Sequence, residues 1–181
     1  MKSKNLRVLL FINIIFMSMQ AFSDEVKAMY DLNNDGENDI FYEYTEEGYY
    51  ELIDYNFDGK VDQAHFFNNE GNLVSSKIDQ NFDGYLETKT YYRMGSPLLT
   101  VVDIANDKLY DIYFKYEDGI LMFSEKHIKP SSETNLTYVE RATYEYDHAI
   151  SVGRKLVDYD QSIFHNKVVT LISDVAKRRI K

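Results

Sequence analysis

The chain has 181 residues and no cysteine at all. No disulfide can brace the fold, and thiolate-rich metal sites, iron–sulfur ligation and cysteine nucleophiles are excluded. Tryptophan is also missing, and there are only two prolines, Pro97 and Pro130, both expected in loops. Positive charge is scarce: 20 Lys and Arg stand against 30 Asp and Glu, a net charge of −10 with neutral His. Such a balance argues against nucleic acid and anionic membranes as partners. The four histidines, His65, His127, His148 and His165, are scattered and form no His-Glu-x-x-His pair. No Gly-x-Ser-x-Gly elbow or phosphate-binding glycine loop occurs, and Ser131 and Ser132 have no indicated base. The sequence therefore offers no catalytic residues.

The one long apolar run is N-terminal. Lys2, Lys4 and Arg7 precede a stretch of about a dozen apolar residues from Val8 to Met19, and small residues Ala21 and Ser23 precede Asp24. A basic start, a short apolar core and a small-residue cut site describe a secretory signal peptide over residues 1–23. The run is short for a spanning helix, which needs about 20 apolar residues. The expected product is a single domain, 24–181, exported to the periplasm or outside the cell, with no stable membrane insertion. It would carry 17 Lys and Arg against 30 acids, a net −13. Tyr is abundant, 16 in all, beside 11 Phe, and both favour pleated, half-buried positions.

What the chain does have is a repeated acidic loop. Asp31–Asp39, Asp54–Asp62 and Asp79–Glu87 all read Asp-x-Asn-x-Asp-Gly-x-x-Asp/Glu, with starts 23 and 25 residues apart. A fixed period with fixed acids marks a repeat architecture. Calcium takes six to eight oxygen ligands, and alternate residues of a tight loop can all point inward. The candidate ligands are Asp31, Asn33, Asp35, the Glu37 carbonyl and Asp39; Asp54, Asn56, Asp58, the Lys60 carbonyl and Asp62; and Asp79, Asn81, Asp83, the Tyr85 carbonyl and Glu87. Gly36, Gly59 and Gly84 occupy the sixth position, where the chain must turn sharply. Oxygen donors with no Cys or His favour calcium over zinc or copper. The twelfth positions are Tyr42, His65 and Thr90, not the bidentate Glu of a helix–loop–helix EF-hand. A fourth copy, Asp103–Asp111, keeps acids at positions one, five and nine but has Ala105 for Asn and Lys108 for Gly. It is expected to be a structural repeat without metal.

These loops resemble the calcium loops of FG-GAP and VCBS-type β-repeats, as in integrin α-chain propellers, in which the ion sits between strands. The resemblance covers about 60 residues. The Phe-Gly and Gly-Ala-Pro signatures of that family are absent. It implies calcium held at the acids and carbonyls named above.

Between the loops lie strand, Gly turn, strand: Gly48, Gly71, Gly95 and Gly119 follow each loop start by 16 or 17 residues. Segments such as FYEY, YYELI, HFF, TKTYY, KLYDIYFKY, ILMFSEKHI and LTYVERATYEY read as strands. From Asp160 the period changes. Phe164, Val168, Leu171, Ile172 and Val175 fall on one helical face, Asp160 or Ser162 can cap it, and Lys177, Arg178 and Arg179 suit its C-terminal end. The β-branched run KVVTLIS leaves a strand as the competing reading. The expected fold is mostly β: a meander of hairpin repeats with period 23–25, calcium loops, and a C-terminal helix over about 160–179 that covers the sheet or binds a partner. The expected function is an exported calcium-binding module with structural calcium and a protein or glycan partner. The alternatives are a secreted hydrolase with structural calcium, and a calcium sensor or buffer.

Overall fold

The computed structural model describes residues 29–128, 137–145, 148–157 and 161–179. The expected signal peptide and cleavage point lie outside the described residues, as do Pro130 with its Ser- and Thr-rich neighbours and the capping residue Asp160. Eleven strands are followed by one helix: β1 Met29–Tyr30, β2 Ile40–Thr45, β3 Gly48–Ile53, β4 Gln63–Asn68, β5 Leu73–Ile78, β6 Thr88–Arg93, β7 Ser96–Val102, β8 Ile112–Glu117, β9 Ile120–Ile128, β10 Thr137–Glu145, β11 His148–Val157 and α1 Gln161–Arg179. The strands form one open antiparallel sheet in sequence order, each paired with its chain neighbours. The fold is thus mostly β, a hairpin meander with a single C-terminal helix.

Such a meander sorts its connections. The four acidic loops join β1 to β2, β3 to β4, β5 to β6 and β7 to β8, so all four emerge at one end of the sheet. The tight turns emerge at the other end. Successive acidic loops are separated by two strands, a lateral step of about 10 Å. Register shifts recur beside four tight turns, between Phe66 and Phe67, Tyr91 and Tyr92, Lys115 and Tyr116, and Thr143 and Tyr144. The hairpins after the second, third and fourth acidic loops thus share a bulge, while β2–β3 after the first pairs without a shift.

Three of the turn glycines, Gly71, Gly95 and Gly119, have φ near +80°. Gly48 is required for a different reason. A Cβ there would lie 1.9 Å from the carbonyl oxygen of Phe67, because β3 and β4 approach closely at that point. Pro97 departs from the expected loop position. It lies in β7 opposite Tyr92, beside the register shift, where a residue without an N–H is tolerated. The strand expected from Lys108 begins only at Ile112, because Lys108–Asp111 belong to the fourth loop.

Pairing register assigns residues to two faces. One face carries Leu99, Val101 and Tyr113, and α1 lies on it. Phe164 and Val168 are fully buried against Tyr91, Leu99, Val101 and Tyr113, with Leu171, Ile172 and Val175 packed at the margin. Helical spacing won over the β-branched run in KVVTLIS because all five apolar residues reach this face only as a helix. The other face is tiled by hydroxyls and rings. Thr90 pairs with Thr100 at 2.9 Å, and the Tyr92 and Tyr144 hydroxyls reach Ser76 and Ser124 at 3.2 and 3.0 Å. Tyr49 stacks on Phe67 at 5.0 Å and meets Tyr42 and Tyr44 at 6.1 and 5.8 Å. Tyrosine is thus spent on cross-strand packing: the ring covers a neighbour and the hydroxyl finds a partner.

Candidate metal centres

Each acidic loop is built by one hydrogen-bond scheme. In the second loop, Asp54 Oδ1 accepts the Phe57 N–H at 2.7 Å and Oδ2 accepts the Gly59 N–H at 2.7 Å. Asp62 Oδ2 closes the loop by accepting the Tyr55 and Asn56 N–H groups at 2.8 and 2.9 Å. Asn56 Oδ1 accepts from Asp58 N–H, and Asp58 Oδ1 from Lys60 N–H, both at 3.0 Å. The first loop repeats this: Asp31 accepts from Asn34 and Gly36, Asp39 from Leu32, Asn33 from Asp35, and Asp35 from Glu37. So does the third, with Asp79 accepting from Phe82 and Gly84, Glu87 from Gln80, Asn81 from Asp83, and Asp83 from Tyr85. The backbone pays for this curl at positions four and six. Asn34, Phe57, Phe82 and Asn106 have φ of 63°, 64°, 60° and 55°, in the left-handed region that bulky side chains rarely adopt.

The loops are anchored to the sheet and to each other. Asp39, Asp54, Asp62, Asp79, Asp103 and Asp111 are all buried, each less than a tenth exposed. The Asp54 N–H donates to the Asp39 carbonyl, Asp79 to Asp62, and Asp103 to Glu87, at 2.8, 2.8 and 3.0 Å. The last residue of one loop thus holds the first of the next. Lys60 Nζ also reaches the Asp83 carbonyl at 3.5 Å, bridging the second and third loops.

The fourth loop has the same shape without the same donors. Asp103 accepts the Lys108 N–H at 2.8 Å, and Asp111 accepts from Ile104 and Ala105. Lys108 takes φ of 67° in place of glycine. Protein groups occupy its surroundings: the Tyr85 hydroxyl donates to Asp103 Oδ2 at 2.6 Å, and His165 Nδ1 of α1 accepts the Tyr110 N–H at 3.0 Å. Burial, then the bond to Asp103, pushes the Tyr85 hydroxyl up to about 12. Asp111 is raised too, by burial first and then by Asp103 and Asp107, against its two backbone donors. In the first loop, by contrast, the Glu37 N–H and then Asn33 hold exposed Asp35 below the ordinary carboxylate range.

The fit to a hard cation rests on the donor set. The scheme uses Asp58 Oδ1 and Asp62 Oδ2, and in the third loop Glu87 Oε1, so these three acids keep a second oxygen outside it, whereas Asp54 and Asp79 accept N–H groups with both oxygens. Glu87 Oε2 is buried with no hydrogen-bond partner, which is costly unless a cation or water meets it. Among the described residues, no three His, Asp or Glu side chains form a group compact enough to hold an ion alone. The acids of each loop lie at its first, fifth and ninth positions, turned toward backbone N–H groups, and the remaining donors would be an Asn oxygen and a carbonyl. These residues fit calcium by chemistry and by position in one loop.

Sequence reasoning missed a charged cluster under the helix. Glu125 of β9, 1% exposed, accepts from Arg141 of β10 at 2.5 Å and from Lys167 of α1 at 2.6 Å. A single acid in a strand carries no signal that it faces the core. The chain matches no protein-family model and no curated protein. Among the described residues no helix is long and apolar enough to cross a membrane.

Proposed function

We propose that the protein is an exported calcium-binding β-repeat module in which the ions are structural. Three ions would lie in a row along one end of the sheet, held by Asp31, Asn33, Asp35, Glu37 and Asp39, by Asp54, Asn56, Asp58, Lys60 and Asp62, and by Asp79, Asn81, Asp83, Tyr85 and Glu87, with Glu37, Lys60 and Tyr85 acting through their carbonyls. The observation that carries this reading is the identity of the hydrogen-bond scheme in three loops of matching sequence. It is supported by the unpartnered Glu87 oxygen and by the substitution of Ala105 and Lys108 in the fourth loop, where protein groups fill in.

A structural role follows from the connectivity. Each loop joins two adjacent strands and is hydrogen-bonded to the next loop, so an ion bound there ties together strands of one continuous sheet. Export rests on the N-terminal basic and apolar segment; with no cysteine to form a disulfide, metal is the brace that remains. Calorimetric titration of the mature chain with calcium tests the binding reading, with three sites expected; a stoichiometry of zero overturns it. N-terminal sequencing of protein from its native host tests export, with Asp24 expected first and Met1 as the refuting result.

A further inference from the structure

We infer that the cleft between α1 and the sheet is a binding site for a small amphipathic carboxylate, an apolar chain bearing one anionic head. The cleft has a volume of about 700 Å³, within the range of roughly 300–1,000 Å³ typical of small-ligand sites. It lies away from the acidic loops, toward the tight-turn end, and does not depend on calcium. Leu98, Leu99, Met122 and Phe123 from the sheet and Leu171 and Val175 from α1 supply its apolar walls. A chain laid there removes apolar surface from water on both sides, at about 25 cal/mol per Å².

The charges select the head group. Glu125 sits in the cleft, but both of its carboxylate oxygens are taken, Oε2 by Arg141 and Oε1 by Lys167. It therefore offers no free acid to an incoming cation. Lys115 lines the same cleft between Leu99 and Phe123, its partners in register on either side. Lys115 is exposed and takes part in none of the ion pairs among the described residues. Of the other two acids, Asp174 is engaged by Lys177 at 3.5 Å. Glu117 lies at the rim beside the β8–β9 turn and opposes an anion there. A carboxylate at Lys115 with its chain along Phe123 and Leu171 satisfies both the cation and the walls.

The probe is the fluorescent anion 1-anilinonaphthalene-8-sulfonate, titrated into the full chain and then displaced by decanoate below its micelle concentration. The expected result is saturable probe binding near one site per chain, displaced by decanoate. Decanol, of equal length without the charge, should be at least fivefold weaker. Lys115→Glu should weaken decanoate about fivefold or more, the scale of one partly exposed charge pair, with the melting temperature unchanged. Glu117→Gln should tighten it. No saturable binding, failure of decanoate to displace the probe, or decanol competing as well as decanoate each overturns the inference. So does Lys115→Glu that leaves decanoate affinity unchanged in a folded chain.

Discussion

Removing calcium is expected to lower the melting temperature by a computable amount. Binding to the folded state alone adds RT ln(1 + [Ca]/Kd), about 1.4 kcal/mol per site at tenfold excess over Kd. Three sites give about 4 kcal/mol, a large share of an ordinary domain's 5–15 kcal/mol. At about 2–4 °C per kcal/mol for a chain of this size, chelation should lower Tm by about 8–16 °C. Asp58→Ala should remove one third of that difference. It also deletes the acceptor of the Lys60 N–H at 3.0 Å, so the variant must be melted both with calcium and with chelator. Asp107→Ala is the matched control. It deletes the equivalent acceptor of the Leu109 N–H, also at 3.0 Å, in the loop proposed to bind no metal. Its melting curve should shift equally in the two buffers. A chelator that leaves the curve unmoved refutes the reasoning. So does an equal loss of calcium dependence in both variants.

The fourth loop should be repairable. Ala105→Asn with Lys108→Gly, and Tyr85→Phe to release Asp103, is expected to raise calcium stoichiometry from three to four by calorimetry. Gly48→Ala should cost about 2–4 kcal/mol, because its Cβ meets the Phe67 carbonyl at 1.9 Å; chemical denaturation measures this. Glu125→Gln should cost about 1–2 kcal/mol, because Arg141 and Lys167 lose a charged acceptor but are themselves half exposed and can be solvated. Asp111→Asn should raise Tm at neutral pH. A carboxyl whose folded pKa is raised favours folding below its unfolded value and loses that contribution as pH rises through the folded value. The gain should therefore appear above about pH 4 and vanish below it, as a melting series in pH will show.

The loops, the meander and the helix were legible because each imposes a pattern that few side chains satisfy. Acids at positions one and nine accept the N–H groups that the curl turns inward, and they recur even in Asp103–Asp111. The helix was legible because Phe164 and Val168 must both reach one face of the sheet. What stayed hidden has no local pattern. Phe57 and Phe82 occupy left-handed backbone against their own preference, since the bonds at Asp54 and Asp79 set the turn. Pro97 sits in a strand, opposite Tyr92, because the adjacent register shift tolerates a residue without an N–H. Glu125 looks like any exposed acid until Lys167, 42 residues later, comes down on it.

The arrangement of the loops has a consequence for how the ions act together. Each loop's last residue accepts the N–H of the next loop's first, from Asp39 through Asp54, Asp62 and Asp79 to Glu87 and Asp103. An ion that fixes Asp62 therefore also fixes the carbonyl that positions Asp79. The chain of bonds ends at Asp111, whose carbonyl accepts the His127 N–H, and His127 packs on Phe164 of α1 at 5.5 Å between ring centres. The fourth loop, held by Tyr85 and His165, is thus the junction between the three repeats with complete acidic loops and the helix-covered core. On the proposed reading the fourth loop dispenses with metal because the helix supplies the order there, whereas the part of the sheet that α1 does not cover would obtain it from bound calcium. On this argument the calcium-dependent part of the stability resides in β1–β5, since Tyr91 of β6 already packs under α1. Hydrogen exchange should show it: chelator should speed exchange at Tyr42, Leu52 and Ser76 far more than at Val101 or Tyr113. Uniform acceleration across both halves would mean that the sheet responds as one unit and that the fourth loop is no junction.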